Sequence, residues 1–143
     1  MLILDRIQDP GNLGTILRTA DAFDVPVVLT NGCADPFSEK TVRASMGAVF
    51  RTPPQAAELQ TLLHACAEEN IALLATALSG TARDIRQVSL ADKAVVIGSE
   101  GQGICQELLN ASSQQIVIPM SARCESLNAA VAAALVLWRM RYE

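Results

Sequence analysis

The chain has 143 residues, half of them hydrophobic but only 3% aromatic, with a formal net charge of −4. Such an acidic balance (pI near 4.9) excludes a broadly basic nucleic-acid surface, so an RNA partner would have to meet a local patch. The length suits one domain over residues 1–143, and no run resembles a signal peptide, a transit peptide or a membrane-spanning helix. Cys33, Cys66, Cys105 and Cys124 are scattered without a C-x-x-C pair, and His64 is the one histidine. The thiols therefore read as free and buried in a reducing cytoplasm, with no metal site expected. A core of Val, Ile, Leu and Ala suits a parallel sheet buried on both faces.

Leu2-Ile-Leu4 opens as a strand and is cut by the turn signal Asp9-Pro-Gly11. Asn12 stands where a helix N-cap belongs, and Leu13, Ile16, Leu17, Ala20 and Phe23 follow at helical spacing. Spacing alone is satisfied if Asn12 only caps and Arg18 is a solvated charge. Residues 25–29 form a second strand, and Ser38 caps a short helix over 38–43. Residues 49–53 read as a strand or edge piece. An amphipathic helix over 56–69 turns Leu59, Leu62, Leu63 and Cys66 inward and leaves His64 without a relay partner. A strand over 71–78 ends at Ser79-Gly80, and 83–90 is a helical or irregular connector.

Ala94-Val-Val-Ile97 is the strongest strand pattern, and it runs into Gly98-Ser-Glu-Gly-Gln-Gly103. A glycine-rich turn after a buried strand allows close backbone approach by a ligand, yet G-x-x-G-x-G is not a dinucleotide fingerprint. A tight structural turn explains it equally well. A short helix over 104–109 follows, then the strand Ile116-Val-Ile118, stopped by Pro119. A polar loop over 121–125 leads to residues 126–142, apolar on most faces, which read as a buried helix. Strands alternate with helices throughout, so a three-layer α/β domain with a mostly parallel sheet is expected.

Three segments in register carry a resemblance. Asp9-Pro-Gly-Asn-Leu-Gly-Thr-Ile-Leu-Arg-Thr-Ala-Asp21, Val96-Ile-Gly-Ser-Glu-Gly-Gln-Gly-Ile104 and residues 118–134 around Glu125-Ser-Leu-Asn128 resemble the three motifs of the SpoU (TrmH-like) RNA ribose 2′-O-methyltransferases. Residues 38–53 resemble the intervening region. The resemblance implies a SPOUT-type α/β fold with a deep C-terminal trefoil knot, S-adenosylmethionine as methyl donor, an rRNA or tRNA substrate and a homodimer. Pattern reasoning alone would not propose a knot. The same source places the donor among Thr76, Ala77, Leu78, Gly98, Glu100, Gly101, Gly103, Ile118, Met120, Ser126 and Leu127.

By resemblance Arg18 is the catalytic residue, with Asn12, Ser126, Asn128 and Glu100 supporting the site. An arginine is costly to deprotonate, so Arg18 is expected to act as a cation that orients the ribose hydroxyl, from one subunit toward the donor held by the other. For Glu100 and Glu125, holding the loops by hydrogen bonds to backbone N–H groups is an equal alternative. Lys40, Arg43 and Arg51 join Arg18 as candidate RNA contacts, against a plain solvated-charge reading. Relatives often carry a glycine in the third-motif loop where this chain has Ser121-Ala-Arg-Cys124, and many have an N-terminal RNA-binding extension. A non-catalytic knotted dimer that binds RNA or the donor is the competing expectation.

Overall fold

The computed structural model describes residues 1–143. In chain order the elements are β1 (Leu2–Asp5), α1 (Pro10–Phe23), β2 (Val27–Leu29), α2 (Glu39–Ala44), α3 (Ala48–Arg51), β3 (Gln55–Ala56) and α4 (Leu59–Glu68). There follow β4 (Leu73–Thr76), β5 (Arg83–Asp84), a 3₁₀ turn (Ile85–Gln87), β6 (Ala94–Gly98), α5 (Gln106–Ala111), β7 (Gln114–Val117) and α6 (Ala129–Arg141). The seven strands form one sheet in the order β3-β2-β1-β6-β4-β7-β5, and every pairing is parallel. No helix is long and apolar enough to cross a membrane.

Alternation along the central strands divides the core in two. Leu2, Leu4, Val95 and Ile97 pack with Leu13, Ile16 and Leu17 of α1 and Ala133 and Leu137 of α6. Ile3, Val28 and Val96 face the other way, onto Leu62 and Cys66 of α4 and Leu108 of α5. The sheet is thus covered on both faces, as the aliphatic composition predicts. Parallel pairing also brings the loops after β1, β4, β6 and β7 to one edge, where ligands of open α/β sheets bind.

Several local expectations need correction. Asp9 caps α1 rather than Asn12: its carboxylate accepts from the Asn12 N–H at 3.0 Å, and Pro10 occupies the first helical turn. Residues 49–53 are not a strand. Gly47, at φ +80°, turns the chain into the single helical turn α3, and the edge strand β3 forms only after Pro53-Pro54. Within 83–90 a two-residue strand extends the sheet edge. Cys124 is exposed, whereas burial raises the thiol pKa values of Cys33, Cys66 and Cys105. His64 has an acid nearby after all, Glu68 at 3.3 Å, although both are solvated.

α6 is not buried all round. Val131, Leu135 and Trp138, continued by Tyr142, are 46 to 62% exposed and lie at spacings of three and four residues, so they form one stripe. The end of α6 is fastened, because the Glu143 carboxylate accepts from the N–H groups of Leu90 at 2.6 Å and Ala91 at 3.0 Å.

Gly14 lets α1 meet α2. A Cβ there would lie 2.5 Å from both the Ala44 Cβ and the Thr41 carbonyl oxygen. In an open helix Gly→Ala would gain about 1 kcal/mol. Against backbone that cannot yield, overpacking of roughly 1–3 kcal/mol outweighs that gain. Gly14→Ala should therefore lower the urea unfolding midpoint at unchanged m-value.

Candidate functional site

The loops at the C-terminal edge of the sheet enclose a cavity of about 410 Å³, within the range for small-molecule sites. Its floor is the ends of β4, β6 and β7, namely Thr76, Ile97, Gly98, Ile116 and Val117. Its walls are Ala77 and Leu78, Ser99, Glu100 and Gln102 to Ile104, Ile118, Met120, Ser126 and Leu127, and the first turns of α6 at Ala129 and Ala132. Ten of the eleven positions expected to hold a donor line this space; Gly101 does not.

Each wall has a reason to stand where it does. Thr76 is fixed by its hydroxyl, which donates to the Val96 carbonyl at 2.9 Å. Gly98 admits no side chain, since a Cβ would meet the carbonyl carbon of Gly103 at 2.3 Å. That close approach lets the loop fold back on itself, with the Gly103 N–H donating to the Ser99 carbonyl at 2.9 Å and Gly103 at φ +66°.

The three motifs converge on one carboxylate oxygen. Glu100 Oε1 accepts from the Ala129 N–H at 2.8 Å and lies 3.5 Å from Asn12 Nδ2. Asn128 Nδ2 donates to Asn12 Oδ1 at 3.0 Å, while Asn128 Oδ1 caps α6 by accepting from the N–H groups of Ala130 and Val131. The first donors of α6 are thereby satisfied by side chains from two distant loops. A carboxylate at this helix end is also favoured by the helix dipole. Glu100 thus has the loop-holding bonds expected as one of its alternatives, and its Oε2 has no hydrogen-bond partner.

Ser126 lines the cavity, and its hydroxyl makes no hydrogen bond within the chain. Glu125 is exposed beside it. Residues 119–127 hydrogen-bond only among themselves, through Ser121, Arg123 and Cys124.

Arg18 is exposed and is not brought to the cavity. Six residues from Asn12, about one and two-thirds helical turns, it emerges on another side of α1. It takes part in none of the chain's ion pairs. The other basic candidates each have a carboxylate neighbour. Lys40 lies 3.7 Å from Asp9, Arg43 pairs with Glu39, and Arg51 donates to Asp21 at 2.9 Å. The Arg51 guanidinium holds the Asp21 carboxyl below the usual carboxylate range, and the Asn12 N–H does the same for Asp9.

Sequence reasoning missed Asp5 and Arg6. Asp5 is buried at the end of β1, where it accepts from the Thr30 hydroxyl and from the Cys105 N–H, both at 2.7 Å. Arg6, at φ +56°, donates to the Gln102 side chain at 3.0 Å and to the Gly103 carbonyl at 3.2 Å. Together they tie the glycine-rich loop to β1. A charged pair directly after a buried aliphatic strand is the signal that could have found them.

A model of the SpoU rRNA methylase family matches residues 1–138. The chain is 37% identical over 142 residues to the 23S rRNA (guanosine(2553)-2′-O)-methyltransferase RlmP of Bacillus subtilis, covering 99% of this chain and 57% of that one. Among solved structures, the AdoMet-bound rRNA methyltransferase from Sinorhizobium meliloti superposes at a TM-score of 0.90 with 36% identity, over 96% of this chain and 54% of that one. The AdoMet complex of the SpoU methyltransferase AviRb from Streptomyces viridochromogenes gives 0.89 and 27%, over 96% and 57%. The chain spans little more than half the length of the curated relatives it matches.

Glu100→Ala removes the acceptor of the Ala129 N–H and should cost about 1 kcal/mol, seen as a lower urea midpoint and faster hydrogen exchange at Ala129. Glu100→Gln keeps an acceptor oxygen and should retain most of that stability.

Proposed function

The chain belongs to the SpoU rRNA methylase family, and on that footing we propose that it is an S-adenosylmethionine-dependent RNA methyltransferase acting on a ribose 2′-hydroxyl. The observation that carries the proposal is the cavity: seven positions of the second and third motifs, with Thr76, Ala77 and Leu78 after β4, are far apart in sequence yet line one space. The residues suit the donor. The lining is mostly apolar, as an adenine ring requires, and Glu100 is its one charged side chain, suited to a cationic ligand. A Cβ at Gly103 would meet nothing within 4 Å, which leaves its backbone open to a ligand, and the Ser126 hydroxyl is unpartnered.

In this reading Thr76, Ala77, Leu78, Gly98, Glu100, Gly103, Ile118, Met120, Ser126 and Leu127 hold the donor, with Gly101 at the loop tip. Once bound, the donor supplies an electrophilic methyl group on a sulfonium sulfur. The chain's own task is to present a weakly acidic ribose hydroxyl as nucleophile. Arg18 orients the 2′-oxygen by charge-assisted hydrogen bonds and stabilises the negative charge that grows as its proton leaves. It serves the cavity of a second subunit, since it stands away from its own. Asn12 and Asn128 position the rim, and Lys40, Arg43 and Arg51 contact RNA phosphates.

The exposed stripe on α6 supports a homodimer, and the return of the chain from β7 past the 98–103 loop to α6 on α1 supports the knot. The RNA is ribosomal or transfer RNA; the named activity of the Bacillus subtilis relative favours ribosomal. Such a function belongs in the cytoplasm, with residues 1–143 acting as one catalytic domain.

Calorimetric titration with S-adenosylmethionine should show one site per subunit, and a folded protein that binds none would overturn the proposal. Arg18→Ala should retain that binding while its methyl transfer to RNA falls by about 10²-fold or more; undiminished transfer would remove Arg18 from the mechanism. Leu135→Asp together with Trp138→Asp places charge in the stripe and should give a monomer by light scattering.

A further inference from the structure

We propose that the exposed aromatic pair Phe37 and Phe50, flanked by Lys40, Arg43 and Arg51, is a stacking platform for an unpaired base of the RNA substrate, an inference that rests on the methyltransferase reading above. Phe37 precedes α2 and is 55% exposed; Phe50 lies on α3 and is 63% exposed. Their ring centroids are 6.2 Å apart, with the planes inclined by 34°.

The pair is built rather than incidental. The Phe37 N–H donates to Asp35 Oδ1 at 2.9 Å, and the Thr41 hydroxyl donates to the Asp35 carbonyl at 3.0 Å, so the turn that presents Phe37 is held on both sides. Gly47 at φ +80° reverses the chain between α2 and α3 and brings Phe50 back beside it. A rigid aromatic surface meets a base with little ordering cost.

Charge selects the partner. Residues 37–51 contain three cations (Lys40, Arg43 and Arg51) and one acid (Glu39), and Asp9 and Asp21 complete one carboxylate partner for each cation, so the segment offers positive charge to a ligand that competes with those partners. The Lys40–Asp9 and Arg43–Glu39 pairs are solvated contacts, which a phosphate can replace, whereas Arg51 stays paired with the largely covered Asp21 and offers a phosphate its exposed side. Cations around exposed π faces are how single-stranded RNA is held. A protein interface, by contrast, concentrates apolar surface and depletes charge at its centre. The α6 stripe fits that description, and α1 lies between it and α2.

Position links the platform to the cavity. Lys40 lies 3.7 Å from Asp9, Asp9 caps α1 through the Asn12 N–H, and Asn12 meets Glu100 at the cavity rim. Lys40, on the helix that Phe37 precedes, thus stands next to the residues of that rim.

The test uses an RNA hairpin with 2-aminopurine in its unpaired loop, and a fully paired RNA duplex as control. The wild-type protein should bind the hairpin and quench the 2-aminopurine fluorescence. Phe37→Ala with Phe50→Ala should weaken hairpin binding about ten-fold, abolish the quenching and leave the salt dependence unchanged. Duplex binding should be unaffected, and the Phe37→Tyr, Phe50→Tyr pair should restore quenching. Three results would each overturn the inference: unchanged hairpin affinity and quenching in the alanine pair, no hairpin binding by the wild-type protein, or dissociation of the alanine pair into monomers. S-adenosylmethionine binding and methyl transfer to RNA by the wild-type protein distinguish these from failure of the methyltransferase reading, in which one or both are absent.

Discussion

The hydrogen bond from the Ala129 N–H to Glu100 Oε1, at 2.8 Å, is the constraint on which the site depends. A helix that starts at the edge of a sheet presents unpaired N–H groups, and here the cavity wall begins at that same helix end. Glu100 takes the first of these donors and Asn128 takes the next two. Asn12 then joins Asn128, so that residues 116 apart in sequence share one network. Three loops that would otherwise be independent become one wall. Asp5 repeats the device lower down, where a buried carboxylate binds the end of β2 and the start of α5 to β1.

Much of this was legible. Buried aliphatic runs gave the central strands, because a strand covered on both faces needs no polar alternation. The positions lining the cavity were legible through the three-motif resemblance, for a physical reason. The Gly98 backbone packs against Gly103 too closely for any side chain, so the residue type at that position carries unusual information. Glycine-rich spacing alone could not separate a site from a tight turn, and Gly98 serves as both.

What escaped the sequence depends on competition between near-equivalent residues and on tertiary neighbours. Asp9 and Asn12 can each cap a helix; Pro10, suited to the first helical position, decides for Asp9 and frees the Asn12 side chain for the junction. Val49 and Phe50 read as strand by propensity, yet the reversal at Gly47 leaves room for only one helical turn. The alanine-rich sequence of α6 hides its asymmetry, since Ala129, Ala130 and Ala133 share the core face with Val136 and Leu137 while Val131, Leu135 and Trp138 stand outside. Nothing in the spacing of Arg18 says that it stands away from its own cavity.

The fastening of α6 at both ends, by Glu100 at its start and by Glu143 at its finish, has a mechanical corollary. A rod pinned at both ends does not slide along its axis, and fraying at either end first has to break the anchor there. The floor of the cavity is equally fixed, because it consists of strands inside a paired sheet. The one compliant wall is the strap of residues 119–127, which has no hydrogen bond to anything outside itself. Of the cavity walls, this strap from Met120 to Leu127 is therefore the one that can yield without breaking a hydrogen bond to the rest of the chain.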